Sequence, residues 1–473
     1  MNMTNHFVIY DYETFGRDVA LDRPAQFAGV RVDRQWEKIE STEVFFCKPA
    51  DDYLPDPEAV FITGITPQKA LRDGVVEAEF SRRIHQFFSV PNTCIIGYNN
   101  IRFDDYYSRN IFYRNFYDSY RWSWDNGNSR WDLLDVMRAI YAFSPDGIQW
   151  PSRDDGATSF KLQDLALANG IEHVNAHDAK ADVYATLALV WLIREKKPKL
   201  FEYLYDYRNK NQLRKLIDIQ NMTPLVHVSG MFGASRSNTA LIAPVAWHPR
   251  YKDSVIGCNL SGDMRVFQDL DSVQLAKRLF TSHDELKGLV PVPIKEVHLN
   301  KCPILMPIDY CKKEHFERWG IDHKRCLENL TLLRQQTNLR DRFKAIYNKP
   351  YTSSSQDVDS QLYDGFFADV DRQIMDRILR TAPEQLSTLN LPFSDRRLPE
   401  LFFRYRARNF PHTLSEKEKQ DWLEHRKKML TRSRIEEYKN KLQSLSGEYK
   451  GDEGKEGLIN ALYEYLQWVI PKE

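Results

Sequence analysis

The first two hundred residues alternate strand-like and helix-like stretches, and acidic residues stand where those stretches begin or end. Asp11 and Glu13 lie in FVIYDYETFG, Asp104 in GYNNIRFDD, and His177 and Asp182 in NAHDAKADVYAT. Such alternation predicts an α/β layer fold that places these residues at strand ends and helix starts. Fold and site are therefore one expectation.

Phe7 to Tyr12 form an apolar, aromatic run bounded by Gly16, which predicts a buried strand. Residues i and i+2 of a strand share a face, so Asp11 and Glu13 aim two carboxylates at one point. A hard cation such as Mg²⁺ fits there, because it prefers oxygen ligands and keeps several waters or phosphate oxygens besides. By itself the Asp-x-Glu spacing is weak, since such pairs are common on solvated strand ends. A second apolar run, Thr93 to Tyr98, leads through Asn99-Asn100 into a helix carrying Phe103, Tyr106, Tyr107, Asn110 and Ile111. Asp104 is preferred as its acidic ligand because it adjoins the packing anchor Phe103. Spacing alone does not exclude Asp105, and either residue also suits a first helical turn simply as a charge favoured by the helix dipole.

His177 and Asp182 lie at and just inside the start of a helical pattern through Tyr184, Leu187, Val190, Trp191 and Leu192, with Asp178 as N-cap. A helix N-terminus disfavours the protonated imidazole, which suits His177 to act as a neutral base near pH 7. A histidine before a helix is more often structural than catalytic, and His173 competes for the role. The conjunction carries the reading: four carboxylates and a histidine have the composition of a site for two divalent ions and a base, the combination that hydrolyses phosphodiesters.

The order Asp-x-Glu, Asn-x-x-Phe-Asp, His-x-x-x-x-Asp resembles the DEDD exonuclease superfamily of the histidine subtype. More narrowly, DYETFG, ALDRPAQFAGVR, ITGITPQ, GYNNIRFDD, NSRWDLLDVMRA, ANGIEH, NAHDAKADVYAT, PLVHVSGMFGA and YRARNFP are similar to the bacterial exodeoxyribonuclease I (exonuclease I) family over essentially the whole chain. The resemblance implies that Asp11, Glu13, Asp104 and Asp182 bind two Mg²⁺ ions, with Mn²⁺ able to substitute, while His177 activates the attacking water. Glu13 would also meet the substrate. Lys161 in SFKLQDL would hold the terminal nucleotide, supplying charge but not the bidentate fork of an arginine. It further implies processive 3′→5′ degradation of single-stranded DNA to nucleoside 5′-monophosphates, in DNA repair and recombination. The site chemistry alone does not choose DNA over RNA, so an exoribonuclease stays open, as does a nucleic-acid-binding protein that keeps a nuclease-like scaffold. The implied partner is the C-terminal tail of single-stranded DNA-binding protein, with Arg334 and Tyr203 as candidate contacts, and a monomer is expected.

The 66 basic and 66 acidic residues cancel, so any nucleic-acid binding must be local. Asn110 to Trp131 is the candidate: Phe112, Tyr113, Phe116, Tyr117, Tyr120, Trp122, Trp124 and Trp131 crowd a segment where the average aromatic content of 13% predicts about three. Arg109, Arg114, Arg121 and Arg130 interleave them. Single strands are held by such stacking and basic tracks, although about half of the rings are expected to be core. The resemblance favours Arg109, Tyr120, Trp124 and Arg138 as strand contacts, with Phe367 in QLYDGFF from the C-terminal part. RYRARNF is a further basic stretch that can extend the track, whereas HRKKMLTRSR reads better as a solvated helix face.

The 473 residues allow two to four domains. A charge run at Lys196-Lys197-Pro198-Lys199 closes the first, residues 1–198, which the resemblance makes a ribonuclease-H-like mixed sheet. Short β-rich runs such as PLVHVSG, ALIAPVAW, SVIGCNL and VPIKEVHL predict a small β barrel over 199–349, SH3-like by resemblance. The polar stretch from Pro350 to Ser360 reads as a linker, and residues 355–473 as a helical domain in which Ser415 and Glu418 form a capping box ahead of Trp422, Leu423, Met429 and Leu430. The six cysteines include no CxxC pair, no apolar run is long enough to span a bilayer, and no signal peptide is evident, so a cytoplasmic protein without membrane contact is expected.

Overall fold

The computed structural model describes residues 4–172, 178–282, 284–348 and 356–471. The chain falls into two compact units, one made of Met1–Ser129, His173–Tyr184 and Ser353–Glu473, the other of Arg130–Glu172 and Ala185–Thr352.

The first unit is built on strands β1 (His6–Thr14), β2 (Pro24–Asp33), β3 (Ile39–Phe46) and β4 (Thr93–Gly97), in the order β3-β2-β1-β4. β1 pairs antiparallel with β2 and parallel with β4, which makes the sheet mixed. The near-continuous apolar character of β1 and β4 has its reason here, because both are buried on both faces. Val8, Tyr10 and Tyr12 point into a core with Phe27, Phe80, Phe88, Tyr107, Ile111 and Trp122. The β1–β2 register slips between Glu13 and Thr14, where Pro24, which has no N–H to give, stands opposite Thr14.

C-terminal helices complete this unit. Arg432–Glu448 and Glu453–Val469 bring Leu442, Leu462, Tyr465, Leu466 and Val469 against Phe15, Ala25, Tyr53, Leu54 and Val60. Helices Asp369–Arg380 and Leu398–Asn409 pack Ile374, Ile378, Leu401 and Tyr405 on Tyr113 and Phe116. The capping box of Ser415 and Glu418 forms, and Trp422 and Leu430 are buried behind it.

Two expectations are corrected. The linker reading fails at its far end, since Val358–Ser360 is a helical turn in which Val358 and Asp359 are buried; its beginning, 350–355, lies outside the described residues. RYRARNF is not a strand-binding track either. Asp359 accepts from Arg23 at 3.0 Å and meets Arg408 at 2.8 Å and Arg404 at 3.5 Å, while Arg408 also reaches Asp52 at 2.8 Å and Arg406 pairs with Glu418. Two of these pairs, Arg23 with Asp359 and Arg408 with Asp52, join residues more than three hundred positions apart, out of reach of a local reading of either segment.

That network predicts an acid sensitivity. Burial alone would raise the carboxyls of Asp52 and Asp359, but the guanidinium of Arg408, helped by its arginine neighbours, outweighs it and holds both well below the ordinary carboxylate range. A carboxyl depressed on folding stabilises the native state fully above its unfolded pKa, about 4, and loses that contribution as pH falls toward the folded value. Thermal unfolding should therefore show stability declining below about pH 4–5. Arg408→Ala should cost about 3–5 kcal/mol at neutral pH by leaving carboxylates buried without their partner, and should flatten that acid limb. Urea titrations of the variant at pH 7 and pH 4 check both statements.

The second unit carries an antiparallel five-stranded sheet, ordered Ile304–Pro307, Leu225–Val228, Thr239–Trp247, Ser254–Asn259, Ile294–His298. All four β-rich runs of the sequence supply strands to it. Pro244 sits inside the longest strand, at a register slip between Pro244 and Ala246 that absorbs its missing N–H. Among the described residues no helix is long and apolar enough to cross a membrane, and all six cysteines are free thiols.

Candidate active site

β1 runs buried up to Gly16, and the pleat that sends Tyr10 and Tyr12 into the core turns Asp11 and Glu13 to the opposite face. The helix Ala179–Lys196 delivers the third carboxylate. Asp178 caps its start as expected, accepting from the Lys180 N–H at 3.0 Å, and Gln26 on β2, the register partner of Glu13, accepts from the Ala179 N–H at 3.3 Å. One turn on, Asp182 joins the strand pair. One carboxylate oxygen each from Asp11, Glu13 and Asp182 can be chosen so that all lie within 4.8 Å of one another.

Asp104 opens the helix Asp104–Arg114, directly after the corner that leaves β4. The corner is tight: Asn99 is left-handed, with φ 67°, and a Cβ on Gly97 would lie 2.5 Å from that of Asn100. Only glycine allows this approach. Asp104 is buried, and its charge is felt by both strand carboxylates. Asp105, the competing choice, is fully buried on a different errand: it accepts from the Tyr10 hydroxyl at 2.7 Å and from the Asn100 amide at 3.2 Å.

Burial first, then the charges of Asp182, Asp104 and Asp178, push the Glu13 carboxyl up to about 9. Burial and then Asp104, Glu13 and Asp182 raise Asp11 likewise. Crowding several carboxylates in a buried place destabilises their charged forms, and a divalent cation among them reverses that penalty. The donor set is all oxygen, which suits a hard cation. His177 and its rival His173 lie outside the described residues.

Among the candidate strand contacts, Trp124 is 61% exposed. The Arg109 guanidinium lies over the rings of Tyr106 and Tyr120, 5.2 and 5.5 Å from their centroids. Phe367 is half-buried, stacked 5.9 Å from Tyr113 and covered by Arg397. Its neighbour Phe366, missed in the sequence, is 80% exposed, with its ring 5.7 Å from that of Tyr120. Nothing in the composition distinguishes these adjacent phenylalanines; the cover that Tyr113 and Arg397 give Phe367 does. Phe112, Tyr113, Phe116, Trp122 and Trp131 are core. Arg114 is withdrawn from the basic track by its buried pairing with Glu77, and Arg121 pairs with Asp125.

In the second unit, Lys161 stands exposed just before the helix Leu162–Ala168. Arg138 pairs with Asp135 at 2.7 Å, and its guanidinium fills the space where a Cβ on Gly230 would be. Arg334, exposed, donates to the Asn221 carbonyl, and the half-buried Tyr203 donates to that of Leu305 and stacks on Tyr207.

Comparison with known proteins is consistent along the chain. Residues 8–190 match the exonuclease family, 208–349 the exonuclease I SH3-like domain and 356–469 the exonuclease I C-terminal domain. Exodeoxyribonuclease I of Escherichia coli is 52% identical, with 98% of each chain covered, and that of Haemophilus influenzae is 48% identical, covering 97% of this chain and 98% of the relative. E. coli exonuclease I in complex with a dA16 oligonucleotide superposes with a TM-score of 0.97 at 52% identity, covering 98% of this chain and all of the other. A zinc-ion-bound form of the E. coli complex with single-stranded DNA gives 0.96 at 51% identity, with 98% and 100% covered. An ExoI/SSB-Ct complex gives 0.94 at 51% identity, with 99% and 100% covered. By sequence, domain content and structure, the chain belongs to the exodeoxyribonuclease I family.

Proposed function

We propose that the protein is a divalent-metal-dependent exonuclease that degrades single-stranded DNA processively from the 3′ end and releases nucleoside 5′-monophosphates. The observation that carries the reading is the convergence of Asp11, Glu13 and Asp182 from a strand and a helix, in a chain of this family. Asp11, Glu13, Asp104 and Asp182 would hold two Mg²⁺ ions, which would supply Lewis acidity for activating water and stabilising the leaving 3′ oxygen. The protein's own part is to fix four carboxylates on strand β1 and two helix starts, and to offer His177 as the group that takes the proton of the attacking water. Glu13 and Lys161 meet the terminal nucleotide. Domain boundaries near 198 and 349–355 divide the exonuclease, SH3-like and helical regions. Work on DNA repair and recombination intermediates in the cytoplasm, as a monomer recruited through the acidic tail of single-stranded DNA-binding protein to a surface with Arg334 and Tyr203, completes the reading.

The test is digestion of end-labelled single- and double-stranded DNA and RNA, with and without Mg²⁺. Mononucleotides released from single-stranded DNA only, in the presence of the metal, are expected. Binding without cleavage would reduce the protein to a scaffold.

Strand contacts make a separate prediction. Trp124→Ala and Tyr120→Ala should weaken binding of an oligonucleotide by about 1–3 kcal/mol where a base stacks, and Phe367→Ala should do so while also disturbing its packing on Tyr113. Arg109→Ala and Arg138→Ala should reduce the steepness of log K against log salt by about 0.7 for each phosphate that is no longer neutralised. Fluorescence anisotropy across a salt series separates the two kinds of residue, and unchanged affinity in all of them would make the aromatics purely structural.

A further inference from the structure

Three tyrosine hydroxyls join strand β1 to the helix Asp104–Arg114. Tyr10, the residue before Asp11, donates to Asp105, the residue after Asp104, at 2.7 Å. Tyr12, between Asp11 and Glu13, shares a 3.0 Å hydrogen bond with Ser108, one turn further along the same helix. In the other direction, Tyr107 donates to the Gly16 carbonyl at 2.8 Å, just beyond the end of β1. Each bond is buried, and the rings of Tyr10, Tyr12 and Tyr107 belong to one core. A helix packed on a sheet by apolar contacts alone can slide or rotate at little cost, because such contacts are non-directional. Hydrogen bonds at successive turns remove that freedom. Asp105 is itself held from a second side by Asn100 at the corner after β4.

We propose that Tyr10 and Asp105, with Tyr12 and Ser108 as the second pair, are positioning residues that fix Asp104 relative to Asp11 and Glu13 from the opposite face of the sheet. None of the four is a ligand. Their hydroxyls and carboxylate set the separation and tilt of two backbones that each carry ligands one residue away. The proposal rests on the reading of Asp11, Glu13 and Asp104 as one metal site, and deepens it: the site's affinity for its cations is set in the core.

Tyr10→Phe tests it, because the ring stays in the core and only the hydroxyl is lost. Partners outside a metal's ligand set typically change affinity or activity by about 10–100-fold. Mn²⁺ titration of the DNA-free protein, followed by electron paramagnetic resonance, should show the weaker of two binding events loosened by about tenfold or more in Tyr10→Phe and in Asp105→Ala. Their double variant should lose no more than Asp105→Ala alone, since that change already removes the bond to Tyr10 along with the one to Asn100. Hydrolysis should follow as a raised half-saturating Mg²⁺ concentration, with a smaller fall in turnover at saturating metal. Tyr12→Phe with Ser108→Ala provides a second pair should either first variant fold poorly. Parental Mn²⁺ affinities in variants with a lowered melting temperature would overturn the proposal, leaving the bonds purely structural. Asp11→Asn distinguishes the underlying reading: if that variant binds Mn²⁺ and cleaves like the parent, the metal site itself is misassigned, whereas its inactivity beside unaltered Tyr10→Phe titrations removes only the positioning role.

Discussion

Replacement of Asp11, Glu13, Asp104 or Asp182 by alanine is expected to leave DNA binding largely intact and to reduce hydrolysis by about three orders of magnitude or more. The magnitude follows from what the ligands do. A divalent ion at a phosphodiester contributes several kcal/mol of transition-state stabilisation, and each 1.36 kcal/mol is a tenfold rate factor. Binding survives because a strand is held by stacking and phosphate contacts spread along its length, away from the scissile bond. Stability makes the second half of the expectation. Asp11 and Glu13 are raised first by burial and then by neighbouring carboxylates, Asp104 and Asp182 acting on both, so removing either relieves an unfavourable burial, and the metal-free variants should melt no lower than the parent. Turnover, filter binding and melting in chelator separate a lost ligand from a damaged fold. Asp105→Asn should fall well short of these losses at saturating metal, and an equal loss would move the ligand from Asp104 to Asp105.

His177→Ala is expected to lower turnover by about two to four orders of magnitude, the usual share of a positioned general base, while the ions remain bound. Loss of the base should also remove the corresponding limb of the pH–rate profile, since the ascending limb reports deprotonation of an imidazole whose ordinary pKa is about 6.5. Turnover and Mn²⁺ affinity measured between pH 5 and pH 9 check this. An unchanged profile would transfer the role to another group.

Local signals were legible and distant ones were not. Strand period placed Asp11 and Glu13 on one face, the Asn99-Asn100 turn marked the start of the helix that carries Asp104, and Asp178 was readable as a cap. Each depends on a few neighbouring residues. Asp104 and Asp105 are not told apart that way, because the contact that engages Asp105 is with Tyr10 on strand β1, far away in sequence. The same limit explains RYRARNF, whose arginines look like a nucleic-acid track until Asp52, Asp359 and Glu418 are set beside them. In the aromatic segment the density of rings was plain, but Trp122 and Trp124 have similar local context and opposite fates, 2% and 61% exposed. Burial is decided by what packs opposite.

The helices at the end of the chain that cover Phe15, Tyr53, Leu54 and Val60 have a consequence for how the protein is made. β1, which carries Asp11 and Glu13, is synthesised more than four hundred residues ahead of the helices Arg432–Glu448 and Glu453–Val469, so one of the cores beside it closes only after those helices have been made. At about 5–20 residues per second, that apolar surface waits some tens of seconds for its partner, and contacts this far apart in sequence form slowly. A chain cut short near residue 350 would keep the surface exposed permanently, so its defect would be aggregation before any change in how long it stays on a strand.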